Sequence, residues 1–286
     1  MSPDEDSARW EGFPFRAGDV VVSTRSKHGT TWMQTILLLL IHQRPDFPAP
    51  LAELAPWLDH LVESRDDVVA RLEAQEHRRV IKTHTPLDGV PLDPVVTYIV
   101  VGRHPLDAAV SLYHQGDNLD RQRMQELTGA PPPQRTGPRP TVKQWLEQWI
   151  DTETDPAEDL DSLPGVLWHL TDAWTRRREP NVVLVHYADL LGNLSSEMAR
   201  LRAALNIDVP DDRWVTLVEA ATLSSMRARA EVLAPNAAGV LKDNAAFFRR
   251  GTSGAAAEIL HPDTMQRYHD RVRAMAPPDL LAWLHR

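Results

Sequence analysis

Three polar clusters with chemical capacity each follow a short apolar run: Lys27, His28, Gly29, Thr30 and Thr31 after Val20 to Val22; Lys82 and His84 after Val80 and Ile81; Arg103 after Val95 to Val101. A lysine, a glycine and two threonines between a strand and a helix present backbone N–H groups and a positive helix end to whatever sits in the turn. Such a turn binds anions, phosphate above all. It is not a Walker A loop, in which the lysine directly follows the second glycine; here Lys27 precedes Gly29. Taken alone, the stretch also reads as a solvated basic turn before a core helix. A histidine two residues from a lysine can take a proton while the lysine steadies developing negative charge. His84 alone, however, reads as a hydrogen-bonded structural residue.

These clusters need elements that bring them to one place. Branched side chains predict strands at Val20 to Val22, Val80 to Lys82, Val95 to Val101 and Val182 to Val185, alternating with helices. Thr30 and Thr31 are read as hydroxyl caps of the leucine-rich helix that follows, and Pro105 as the first turn of the helix carrying Asp107 and Ser111. The predicted class is α/β: a single domain over 1–286 with a central, mostly parallel sheet flanked by helices. Ligands bind at the carboxyl edge of such sheets, where all three clusters and a fourth strand end at Tyr187 would meet. An acidic tail is read over residues 1–10. A proline-rich lid or mobile loop is read over 116–140 (Pro131, Pro132, Pro133, Pro138, Pro140), with no regular structure. The tryptophans Trp145, Trp149, Trp168 and Trp174 are assigned to the core.

Composition narrows the class further. With 286 residues, 42% hydrophobic and 25% charged, the chain is ordinary globular material, and its net charge of −9 argues against bulk nucleic-acid binding. Lacking cysteine, it has no disulfides or thiolate metal sites. His42, His60, His77, His114 and His169 show no ligand spacing and are read as scattered surface residues, so no metal is expected. The N-terminus is unlike a secretory signal and no apolar run spans a bilayer; the expectation is a cytoplasmic protein without stable membrane insertion.

On these residues the chain resembles the cytosolic-type sulfotransferases, which move a sulfonyl group from 3′-phosphoadenosine-5′-phosphosulfate (PAPS) to a hydroxyl or amine. Arg25-Ser26-Lys27-His28-Gly29-Thr30-Thr31-Trp32 matches the family's Y-P-K-S-G-T-T-W at lysine, glycine, both threonines and tryptophan. Lys82-Thr83-His84 matches K-[ST]-H; Arg103, Pro105, Asp107 and Ser111 match R-x-P-x-D-x-x-x-S; Tyr187-Ala188-Asp189 resembles Y-E-D; and Phe248-Arg249-Arg250-Gly251 resembles the late R-K-G. The sequence departs at Arg25, Ser26 and His28, at Ala255 to Ala257 in place of an Asp-Trp-Lys element, and near Thr264, where the animal dimerisation motif is missing. Oligomeric state stays open.

The resemblance implies a P-loop-like sulfotransferase fold and PAPS as co-substrate. The loop Lys27, His28, Gly29, Thr30 and Thr31 would cradle the 5′-phosphate, with Lys27 neutralising the leaving group. Trp32 would lie against the adenine, with Tyr187 and the region of Thr222 and Leu223, and Phe248 is counted among the nucleotide-binding residues. Arg103, Ser111, Arg249, Arg250 and Gly251 would hold the 3′-phosphate. His84 would be the general base and Lys82 would touch the sulfonyl group. His28 could face the nucleotide, act as a secondary base or point to solvent. The acceptor would be a small hydroxyl compound; apolar residues Phe47, Leu51, Leu54, Trp57 and Leu58 hint at a lipid-like or aromatic one. Two other classes stand beside this one: an ATP- and magnesium-using small-molecule kinase, and a catalytically silent nucleotide-binding module. The first is disfavoured by the lysine order and by Gly102-Arg103 where a metal-binding aspartate is needed.

Overall fold

The four apolar runs become strands β1 (Val20–Ser23), β2 (Val80–Thr83), β3 (Thr97–Gly102) and β4 (Val182–His186). All pairings are parallel and the spatial order is β2-β1-β3-β4. The structure is a computed structural model and describes residues 5–129, 137–249 and 251–286. From β1 the chain crosses to β2 on one side, and from β3 to β4 on the other, so the order reverses between β1 and β3. Their carboxyl ends flank the crevice in which such sheets bind ligands.

Alternation sets the layers. Val21, Ile81, Tyr98, Val100 and Val182 face one core, shared with Trp10, Phe13 and the helices Arg65–Glu73, Pro105–Asn118, Val142–Asp151, Leu163–Thr175 and Pro262–Met275. Val20, Val22, Val80, Ile99, Val101 and Val185 face the other, against helix α1 (Thr30–His42) and the helices of residues 194–233. Buried on both faces, the strands read as continuous apolar runs rather than alternating ones. Helix α1 is buried from Thr30 through Leu40, as a helix apolar all round must be. The result is one α/β domain. Among the described residues no helix is long and apolar enough to cross a membrane.

Several expectations are corrected. Residues 5–10 are not a tail: Trp10 is 1% exposed in the core, and buried Glu5 pairs with Arg25. Residues 1–4 lie outside the described residues. The stretch 116–140 is not irregular throughout, since one helix runs on to Asn118 and another spans Arg121–Thr128. Composition there is dominated by its prolines, but Pro131, Pro132 and Pro133 lie outside the described residues. The threonine caps of α1 do not form: its N-cap is Gly29 at φ +108°, with no side chain bonded to the helix N–H groups. Thr30 Oγ1 instead bonds to Thr24 Oγ1, and Thr35 Oγ1 donates to the Thr31 carbonyl.

Candidate active site

The turn after β1 is built around backbone that side chains normally avoid. Lys27 stands at φ +65°, a left-handed conformation that costs a non-glycine residue about 1 kcal/mol. At Gly29 a Cβ would come within 3.0 Å of the Tyr187 ring, so the turn admits only glycine there. With no side-chain cap, the first N–H groups of α1 are left to face the turn, and the helix dipole favours an anion at that point.

Cations gather around it. Arg103 follows β3 at 7% exposure, with Nη1 donating to the Lys27 carbonyl at 2.9 Å and Nη2 to the Thr252 carbonyl at 3.2 Å. Its guanidinium lies 4.2 Å from the Tyr187 ring centroid. Lys27, Ser111, Phe247 and Arg249 line a cavity of about 20 Å³, room for one water. Burial, then the charges of Arg103, Arg249 and Lys82, push the Lys27 ammonium down to about 7. Among the described residues no carboxylate contributes to holding its charge. This cluster, beside a helix end without a cap, fits a ligand carrying several negative charges.

Other residues expected at the nucleotide lie near this cluster. Trp32 meets Tyr187 edge-on at 5.3 Å and donates its indole N–H to the Ala221 carbonyl at 2.8 Å, next to Thr222. Gly251, at φ +61°, lies against Leu223; a Cβ there would approach the leucine Cδ2 to 2.2 Å. Asp107 accepts from the Gly254 N–H with both carboxylate oxygens at 3.0 Å, tying this loop to the helix that carries Ser111. Phe248 is 5% exposed in the α1 core, whereas Phe247 is the ring that faces Lys27, at 4.0 Å from its Nζ. Arg250 lies outside the described residues. His28 does not point to solvent: it is fully buried, its Nδ1 bonds to the Ser26 carbonyl at 3.1 Å, and burial pushes it down to about 4.

On the other side of the turn, β2 delivers Lys82, Thr83 and His84. His84 Nδ1 contacts the Thr24 carbonyl. A carbonyl only accepts, so Nδ1 carries the proton and Nε2 keeps a lone pair. Burial first, then the Lys82 and Arg25 charges, hold the imidazole well below its ordinary value, so it is neutral at pH 7.

Four further side chains surround this histidine. Arg25, 2% exposed, donates to the His84 carbonyl and pairs with Asp161 at 2.8 Å and Glu5 at 3.4 Å. Asp59 Oδ2 accepts from the Thr83 and Thr85 hydroxyls and from the Trp10 indole. Trp57 sits 3.6 Å beneath the Lys82 Nζ. His169 is not a surface residue: it is fully buried, with Nε2 3.3 Å from Ser23 Oγ. In sequence, Arg25 stands out as a departure from the motif and Trp57 as one of the apolar residues hinting at the acceptor. The rest are single residues whose partners lie tens of positions away.

The chain is similar to known proteins. Residues 17–277 match the sulfotransferase domain family. A glycolipid sulfotransferase of Mycobacterium tuberculosis is 40% identical over 298 residues, covering 98% of this chain and 91% of that one. Rat sulfotransferase 1A1 is 25% identical over 245 residues, covering 82% and 77%. Among solved structures, retinol dehydratase in a complex with retinol and PAP superposes with a TM-score of 0.70 at 19% identity, covering 94% of this chain and 84% of that one. Mouse sulfotransferase SULT7A1 complexed with PAP gives 0.64 at 19%, covering 92% and 86%. At such identities the solved structures speak to the fold, while the matched span includes every strand end described above. The chain belongs to the sulfotransferase family.

Proposed function

We propose that this protein transfers a sulfonyl group from PAPS to a hydroxyl of a glycolipid-like acceptor, with His84 as general base. The observation that carries the reading is the convergence of Lys27, Arg103 and Arg249 on the uncapped start of α1, one strand away from a neutral His84 with its Nε2 lone pair available. PAPS brings several anionic groups and an already activated sulfonyl. The 40% identical relatives described as glycolipid sulfotransferases support the acceptor class, and the PAP held by solved relatives supports the donor.

The chemistry asks for charge management and alignment more than for bond-making by the protein. Lys27 and the α1 N–H groups are placed to neutralise the leaving 5′-phosphate, and Lys82 the peripheral sulfonyl oxygens. His84 would take the acceptor proton at Nε2 as the oxygen attacks sulfur. Arg103, Ser111, Arg249 and Arg250, with the Gly251 backbone, are assigned to the 3′-phosphate, and Trp32, Tyr187, Thr222 and Leu223 to the adenine.

Calorimetric titration with adenosine 3′,5′-diphosphate, ATP and adenosine 5′-phosphate tests the donor assignment, and transfer of radiolabelled sulfonyl from PAPS to an alkyl glycoside tests the reaction. Tight binding of the diphosphate alone is expected. A preference for ATP would overturn the reading in favour of a kinase.

A further inference from the structure

We infer that Trp57 is a positioning residue for the transfer step, its indole holding the Lys82 ammonium and the His84 imidazole in register with each other. The inference rests on the roles proposed above for Lys82 and His84.

The indole touches both groups at once. The Lys82 Nζ stands 3.6 Å from the ring centroid. His84 packs edge-on against the same ring, at 4.5 Å and 79°. The indole is itself immobilised. His60 stacks on it at 4.0 Å with planes 11° apart. Residues 56–58 run beside β2 as a rudimentary extra strand: Lys82 N–H donates to the Pro56 carbonyl at 2.9 Å, and Leu58 N–H donates to the Lys82 carbonyl at 3.4 Å. Two positions on, Asp59 accepts from the hydroxyls of Thr83 and Thr85, the two neighbours of His84. One short segment thus grips the whole Lys82–Thr85 run.

An aromatic ring suits this task better than a carboxylate would. A lysine side chain is long and carries much rotamer freedom. The Lys82 charge is felt by both Lys27 and His84. A carboxylate would hold the ammonium but cancel the charge needed by the sulfonyl oxygens. The ring quadrupole attracts the ammonium without supplying a counter-charge.

The test compares Trp57→Leu and Trp57→Phe in the full chain, using two reactions. In one, PAPS transfers to octyl β-glucoside. In the other, water alone is the acceptor: its oxygen bonds to sulfur as the bond to the 5′-phosphate oxygen breaks, giving sulfate and adenosine 3′,5′-diphosphate, and the water proton leaves through His84. Trp57→Leu is expected to lower turnover about tenfold in both reactions while diphosphate affinity stays within about twofold. Trp57→Phe, which keeps a π face, is expected to recover to within about threefold. The Lys82 side-chain NMR resonances should lose their ring-current shift in Trp57→Leu, and thermal melting checks that this variant is folded. A loss confined to KM for the glucoside would make Trp57 only a wall of the acceptor site and overturn the inference. Equal impairment of the Leu and Phe variants would overturn it too. Lys82→Met and His84→Ala serve as reference. If both turn over normally the underlying assignment falls; if they fail while Trp57→Leu does not, only the Trp57 inference falls.

Discussion

The Nδ1–H of His84 is committed to the backbone carbonyl of Thr24, at the end of the neighbouring strand. That bond selects the tautomer, so the Nε2 lone pair is the one a substrate proton can reach. Replacing His84 with Ala is therefore expected to lower PAPS-dependent turnover by about 10²–10⁴. The dissociation constant for adenosine 3′,5′-diphosphate, measured by calorimetry, should be unchanged. Equal loss of both would make His84 structural.

The pH profile carries a second expectation. Burial and the Lys82 and Arg25 charges lower the His84 pKa, so the base is neutral and competent until the pH falls well below 6.5. Turnover should stay level from pH 8 to about pH 6.5, where an ordinary imidazole would already be half protonated. Removing one source of positive charge raises the histidine pKa. In Lys82→Met the residual activity should accordingly show its acid limb at higher pH than the parent.

Lys27 predicts a proton signature of donor binding. In the free protein its ammonium is pushed down to about 7, so at pH 8 most of it is neutral. A bound phosphate favours the charged form and raises that pKa again. Binding of adenosine 3′,5′-diphosphate at pH 8 should take up close to one proton, read from titrations in buffers of different ionisation enthalpy. Lys27→Met should abolish the uptake.

Arg249 offers a cleaner test of 3′-phosphate recognition than Arg103. Arg103 also holds the Lys27 carbonyl and covers Tyr187, so its loss would disturb the whole turn. Arg249→Ala is expected to weaken adenosine 3′,5′-diphosphate by about tenfold or more, from a lost charge-assisted contact. Adenosine 5′-phosphate, lacking that group, should bind nearly as before. Parallel losses for the two nucleotides would remove Arg249 from the 3′-phosphate site.

Stability has its own lever at the opposite end of the sheet. Arg79 and Asp19, 1% and 2% exposed, form a buried ion pair just before β2 and β1. Arg79→Met leaves Asp19 buried without its guanidinium and should cost roughly 3–5 kcal/mol in urea unfolding. Donor affinity of the folded fraction should not change, because the pair is on the edge away from the crevice.

Much of the architecture could be read from residue types alone, because local forces set it. Branched runs specify β1 to β4, and four parallel strands in one sheet necessarily bring Lys27, Lys82, His84 and Arg103 to a common edge. The strongest expectations came from such short-range patterns and from motif spacing. Tertiary structure decided what depends on distant partners. Thr30 was free to cap α1 until Thr24, across the turn, claimed its hydroxyl. Phe247 and Phe248 are indistinguishable in sequence, but their rings stand at 87° and only the first faces Lys27. His169 reads as a surface residue until a helix more than a hundred positions along the chain packs it against Ser23. Trp57 and Asp59 reach the Lys82–Thr85 run only because their segment pairs with β2. A side chain's local propensity is written in its own neighbourhood; its hydrogen-bond and aromatic partners are chosen by long-range packing, and that choice makes a strand end into a site.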